Sequence, residues 1–138
     1  MNPLETIQDY ELFIYSVQEK NPEILSSNLV FRRIGSTVAQ VIGEIAFKDN
    51  FRVRIREILV FDRKPGIIEG YGYEIYKGQE KISWYDSQPH PNDKTLQSTH
   101  PHHKHVPPDI KHNRIPARQM SFYKPNVPEL ILEVQTFF

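Results

Sequence analysis

From Phe51 the chain alternates strictly. Phe51, Val53 and Ile55 are apolar, and Arg52, Arg54 and Arg56 between them are charged. Side chains alternate across a strand, so this period of two predicts a strand with one buried and one charged face. Such a strand cannot stand alone, because its apolar face must be covered and its backbone paired. The alternation loses phase after Glu57, where Ile58, Leu59, Val60 and Phe61 run together. A bulge or a doubly buried strand end accounts for that.

The neighbours supply the pairing. Residues 28–34 and 37–47 read as strands around Gly35-Ser36, and Lys48-Asp49-Asn50 reads as a turn. After Arg63-Lys64-Pro65-Gly66 come strands at 67–76 and 80–86, joined by Lys77-Gly78-Gln79. Short connections favour antiparallel neighbours, so residues 27–86 predict a five-stranded antiparallel meander.

Helices are expected at both ends. Leu4, Ile7, Tyr10, Ile14 and Val17 share one face over residues 2–20, with Asn2 as cap, Pro3 at the first turn and Glu5 completing a capping box. Val127, Leu130, Ile131 and Val134 form a stripe over residues 126–136, with Asn126 as cap. The fold class is therefore α+β in a single domain of 138 residues.

Between sheet and last helix lies a segment of different character. Residues 87–125 hold seven of the eleven prolines and show no period. That density forbids a long helix and predicts an ordered segment with short extended pieces lying along the sheet. All six histidines fall between Trp84 and Arg118: His90, His100, His102, His103, His105 and His112. Positive charge gathers there too. Residues 86–124 carry six basic and three acidic side chains, although the whole chain is formally neutral. Global charge thus points to neither nucleic acid nor membrane, while the local excess suits an acidic partner.

Cysteine is absent, which excludes disulfides and thiolate metal sites and is compatible with a cytoplasmic location. The N-terminus has no basic segment followed by an apolar run, so no signal peptide is expected. No apolar run approaches the ~18 residues that a membrane span needs. The pair Gly70-Tyr71-Gly72 lacks the third glycine and the following helix of a dinucleotide fingerprint.

The chemistry-bearing residues are His102, His103, Lys104 and His105, with Asp86 and His90 upstream. Histidine serves as acid and base near neutrality. Cleaving RNA without a metal needs a base for the 2′-hydroxyl, an acid for the 5′-oxygen and a cation for the phosphorane, with a carboxylate to orient a histidine. In an extended segment His103 and His105 share one face, and His102 and Lys104 the other. The same atoms allow a second reading. His90, His102, His103 and His105 offer ligands for a divalent transition metal such as zinc or iron. A third reading is a non-catalytic module whose positive segment binds an acidic partner. Arg52, Arg54 and Arg56 form a stripe for phosphates if their face is open, with Tyr71, Tyr73, Tyr76, Trp84 and Tyr85 as stacking surfaces. The competing role for these arginines is pairing with Glu44, Glu57, Glu69 and Glu74.

The runs Y-D-S-Q-P-H-P at 85–91 and T-H-P-H-H-K-H-V at 99–106 resemble the TumE-like toxin family. That family's pattern is R-Y-D-N-A-P-H-H-P followed by T-F-P-H-H-K-H. Tyr85-Asp86, Pro89-His90, Thr99 and Pro101 to His105 match it. Trp84 stands where the pattern has arginine, Ser87-Gln88 where it has Asn-Ala, and His100 where it has phenylalanine. The resemblance implies the toxin of a type II toxin–antitoxin system, acting in the cytoplasm and neutralised by a cognate antitoxin. Joined to the histidine chemistry, it gives a metal-independent ribonuclease as the expected activity and RNA as its target. The sequence leaves the oligomeric state open, a homodimer being compatible with it.

Overall fold

The computed structural model describes residues 2–87, 102–106, 114–117 and 119–138, and gives His103 and residues 114–116 as backbone only. Among the described residues eight strand segments form one antiparallel sheet: β1 (Ser26–Ser27), β2 (Val30–Arg33), β3 (Val38–Ala46), β4 (Phe51–Val60), β5 (Ile67–Lys77), β6 (Glu80–Asp86), β7 (His103–His105) and β8 (Arg114–Pro116). β1 and β2 pair successive parts of β3, so the sheet is seven strands wide, in chain order from β3 to β8. Among the described residues three α-helices complete the fold: α1 (Ile7–Tyr15), α2 (Val17–Lys20) and α3 (Val127–Gln135). The α+β architecture is as expected.

The meander is wider than the five strands expected. β7 and β8 lie inside the proline-rich segment and extend the edge beyond β6. Three residues each are too few to show a period, and β6 supplies the backbone partners that define them.

β4 sets the two faces. Phe51, Val53, Ile55, Glu57 and Leu59 are buried, whereas Arg54 and Arg56 are exposed. The buried face meets α1 through Ile7, Tyr10 and Ile14, and meets α3 through Val127, Leu130, Ile131 and Val134. Each fully buried aliphatic side chain contributes about 1.5–3 kcal/mol. Beyond Glu57 β4 keeps its alternation, with Leu59 buried between half-buried Ile58 and Val60, and the register shift opposite Ile58 and Leu59 leaves the extra residue, Glu69, in β5. The turn into β4 uses Asp49 and Asn50 at φ 60° and 65°, a left-handed geometry these residue types tolerate.

The helix expected over residues 2–20 is interrupted. Asn2 caps only a short 3-10 turn, Pro3–Glu5. Thr6 is extended, and its Oγ1 accepts from Asp9 N to start α1. Ser16 Oγ donates to Leu12 O at 2.6 Å and separates α1 from α2, since such back-bonding bends helices. Asn126 does not cap α3 through its side chain. It is fully buried and donates from Nδ2 to Tyr73 Oη and Ser121 O, while Oδ1 accepts from Ser121 N.

Candidate functional site

The register aligns the charged face into rows across the strands. One row runs Ile42, Arg56, Gly72, Asp86 and His103. The next runs Glu44, Arg54, Glu74, Trp84 and His105. These rows floor a groove of about 740 Å³ whose lining includes Ile42, Arg54, Arg56, Glu74, Trp84 and Asp86.

At its β6 end Asp86 Oδ2 lies 3.3 Å from His105 Nε2 and accepts from Trp84 Nε1 at 3.2 Å. Trp84 and Asp86 meet because residues two apart share a strand face. His105 reaches them across the β6–β7 pair and is only 1% exposed. The indole lies between two groups, with the His105 ring centroid at 3.9 Å and Lys81 Nζ 4.4 Å from its own centroid.

The arginines of the groove are not equivalent. Glu44 Oε2 accepts from Arg52 Nη1 at 2.7 Å and from Arg54 Nη2 at 3.2 Å. Glu74 lies 3.7 Å from Arg54 Nη1 and 2.5 Å from Lys81 Nζ. Arg52 also stacks on Tyr76, 4.0 Å from its centroid. Among the described residues no carboxylate lies within ion-pair distance of Arg56.

On the opposite face a second polar cluster ties β7 to α3. Lys104 Nζ lies 2.9 Å from Glu133 Oε2, and Tyr85 Oη donates to Glu133 Oε1. Gln119 Nε2 donates to Tyr85 Oη at 2.9 Å. Burial first, then Glu133, pushes the Tyr85 phenol well above its ordinary value. On the same face Tyr71 Oη is 2.6 Å from His102 Nδ1, and the rings stack at 5.7 Å. Burial and the charge of Asp86 raise the Tyr71 phenol too, so it stays protonated.

The expected cluster is therefore divided. Asp86 and His105 are together on the groove side, and His102 and Lys104 lie on the helix side with separate partners. His103 is in register with Asp86, but its side chain, like all of His90, His100 and His112, lies outside the described residues. Within the alternative ligand set of His90, His102, His103 and His105, the division separates His102 from His105. Among the described residues no three histidine or carboxylate side chains converge as a metal site would require. Tyr71, Tyr73 and Tyr85 point into the core rather than forming stacking surfaces, while Tyr76 and Trp84 already carry cations.

Glu57 was grouped with the acidic partners of the arginines, and it lies on the other face. It is fully buried, accepting from Tyr10 Oη at 2.7 Å and Tyr73 Oη at 2.5 Å. Burial raises its carboxyl above the ordinary range, and the two phenols offset this only in part. Its position in the apolar phase of β4 was the available signal. Glu133 had no such signal, because its two partners come from β6 and β7.

Among the described residues no helix is long and apolar enough to cross a membrane. No curated protein and no solved structure matches the chain. A family model described as Toxin TumE matches residues 14–137, a span that takes in the groove, β7 and α3. On that match over nearly its whole length, the chain belongs to the Toxin TumE family, and it is a toxin of a toxin–antitoxin system with an antitoxin as its partner.

Proposed function

We propose that this toxin is a metal-independent ribonuclease of a type II system, acting on cytoplasmic RNA through the groove. The observation that carries the reading is the Asp86–His105 pair at the end of a concave face that also presents Arg56. A carboxylate that accepts from one ring nitrogen fixes the imidazole and makes its other nitrogen the better base. In the proposed step a histidine of the Asp86 site, His103 in register with it or the buried His105, takes the proton of a 2′-hydroxyl, whose oxygen attacks the adjacent phosphorus. The O2′–P bond forms as the P–O5′ bond breaks. A protonated group returns a proton to O5′, leaving a 2′,3′-cyclic phosphate and a 5′-hydroxyl, with no redox change. His103, in register with Asp86, and His90 are the candidates for that acid.

Lys104 takes a different role from the charge stabiliser expected of it. Its ammonium is bound to Glu133, so it positions β7. The test is to express the protein without its antitoxin and follow growth and total RNA. Wild type is expected to stop growth and degrade RNA. Asp86→Asn and the double variant His103→Ala, His105→Ala are expected to do neither while still unfolding cooperatively in urea, the double variant at a lower midpoint because His105 is buried. Intact RNA in growth-arrested wild-type cells would refute the ribonuclease activity.

A further inference from the structure

We infer that Arg56, seated over Gly72, is the side chain of the groove that takes an RNA phosphate, and that the occupant is a single strand. This rests on the ribonuclease reading and separates three arginines that the sequence leaves equal. Arg52 and Arg54 share the carboxylate of Glu44, Arg54 turns its other side to Glu74, and Arg52 is laid on Tyr76. A phosphate at either would have to displace a partner already in place. Arg56 is exposed, and none of the described carboxylates neutralises it. A free guanidinium fork matches the paired oxygens of a phosphate.

Gly72 makes the seat. A Cβ built there would stand 2.6 Å from Arg56 Nη2 and 3.3 Å from Cζ, so a side chain there would push the guanidinium aside from its place over β5. Arg56, Gly72 and Asp86 are consecutive members of one row. Neighbouring strands are about 4.8 Å apart, so Asp86 lies about 10 Å across the sheet from the base of Arg56. The arginine side chain, directed over Gly72, covers part of that distance. A phosphate bound at its tip therefore lies on the side of the groove where His105 meets Asp86.

The single strand follows from shape and charge. A domain that reads duplex RNA by shape can span about 16 base pairs, with contacts to successive grooves and the phosphates between them. Among the described residues the groove face offers no extended basic surface, since Glu44 and Glu74 pair with Arg52, Arg54 and Lys81. One seated phosphate within 740 Å³ fits a strand passing through. The aromatic rings on this face already carry Arg52 and Lys81, so the backbone rather than stacked bases supplies the contact.

The test uses a 2′-O-methyl single-stranded 12-mer, which lacks the attacking hydroxyl and is not cleaved. Its binding is followed by fluorescence anisotropy over a series of salt concentrations. Arg56→Gln is expected to weaken binding about tenfold and to reduce the slope of log K against log salt by about 0.7, the value for one single-strand phosphate. Arg54→Gln and Arg52→Gln are expected to keep the wild-type slope. Gly72→Ala, with the arginine retained, is expected to weaken binding less than Arg56→Gln and to keep the wild-type slope while staying folded by thermal unfolding. Equal losses at Arg52, Arg54 and Arg56, an unchanged slope in Arg56→Gln, tighter binding of the corresponding duplex, or no binding by wild type would each overturn the inference. Arg56-dependent binding by a wild type that cuts no unmodified RNA would instead leave the seat standing and remove the ribonuclease activity.

Discussion

Replacing Lys104 or Glu133 probes how β7 is held against the sheet. The pair is 2.9 Å apart, with side chains 21% and 15% exposed, and Glu133 also accepts from the Tyr85 phenol. An exposed pair of this kind contributes about 0.2–1 kcal/mol. This one is mostly shielded from water, so each partner leaves a poorly solvated charge when the other is removed. Lys104→Met and Glu133→Gln are each expected to destabilise by about 1.5–3 kcal/mol. The double variant is expected to lose less than their sum by about 1–2 kcal/mol. Urea unfolding of the four proteins gives the cycle directly. For a chain of this size each kcal/mol also lowers Tm by about 4 °C. Because β7 carries His105, both single variants should lose toxicity at temperatures where wild type keeps it. Additivity within about 0.3 kcal/mol would refute the coupling and with it the positioning role of Lys104.

Other perturbations test other parts of the structure. The folded Glu57 carboxyl has a raised pKa, so its stability contribution is fully present below the ordinary carboxylate value and is lost as pH rises through the folded value. Glu57→Gln stays neutral, so urea unfolding at pH 4 and pH 8 should show a smaller loss in the variant, and equal losses would contradict this assignment. Glu57→Leu should instead cost about 2–5 kcal/mol at either pH, because the buried Tyr10 and Tyr73 hydroxyls lose their acceptor. Gly43 has φ 141°, and a Cβ there would stand 2.7 Å from Asn28 O, so Gly43→Ala should cost about 1–3 kcal/mol in thermal unfolding and loosen β1 and β2. Chelation with EDTA should leave RNA cleavage by the purified protein unchanged, and loss restored by zinc or manganese would favour the metal reading.

The sheet was legible where period and turns agree. Phe51 to Glu57 shows a strand by alternation alone, and the left-handed turn at Asp49-Asn50 follows from residue type. The strands at 103–105 and 114–116 are short extended pieces of the kind expected in that segment, but their positions were not legible, because pairing with β6 and then with β7 sets them rather than any local preference. The break at Thr6 was hidden by an unbroken apolar stripe from Leu4 to Val17, which a 3-10 turn and two helical pieces satisfy equally well. Within the candidate site, alternation was enough to separate Lys104 from His105 once the segment was taken as extended. It could not show that Glu133 arrives from α3 to bind Lys104. Nor could it show that Glu44 and Glu74 engage Arg52 and Arg54 but not Arg56, since that depends on register among three strands.

The chemical identity of the RNA ends is the most direct measure of the Asp86–His105 chemistry. Purified toxin would be incubated with a single-stranded RNA in EDTA, and the products read by mass spectrometry. The expected result is fragments bearing 2′,3′-cyclic phosphate and 5′-hydroxyl ends, formed by wild type and absent with His105→Ala. Uncut RNA, or fragments with 5′-phosphate ends, would contradict it.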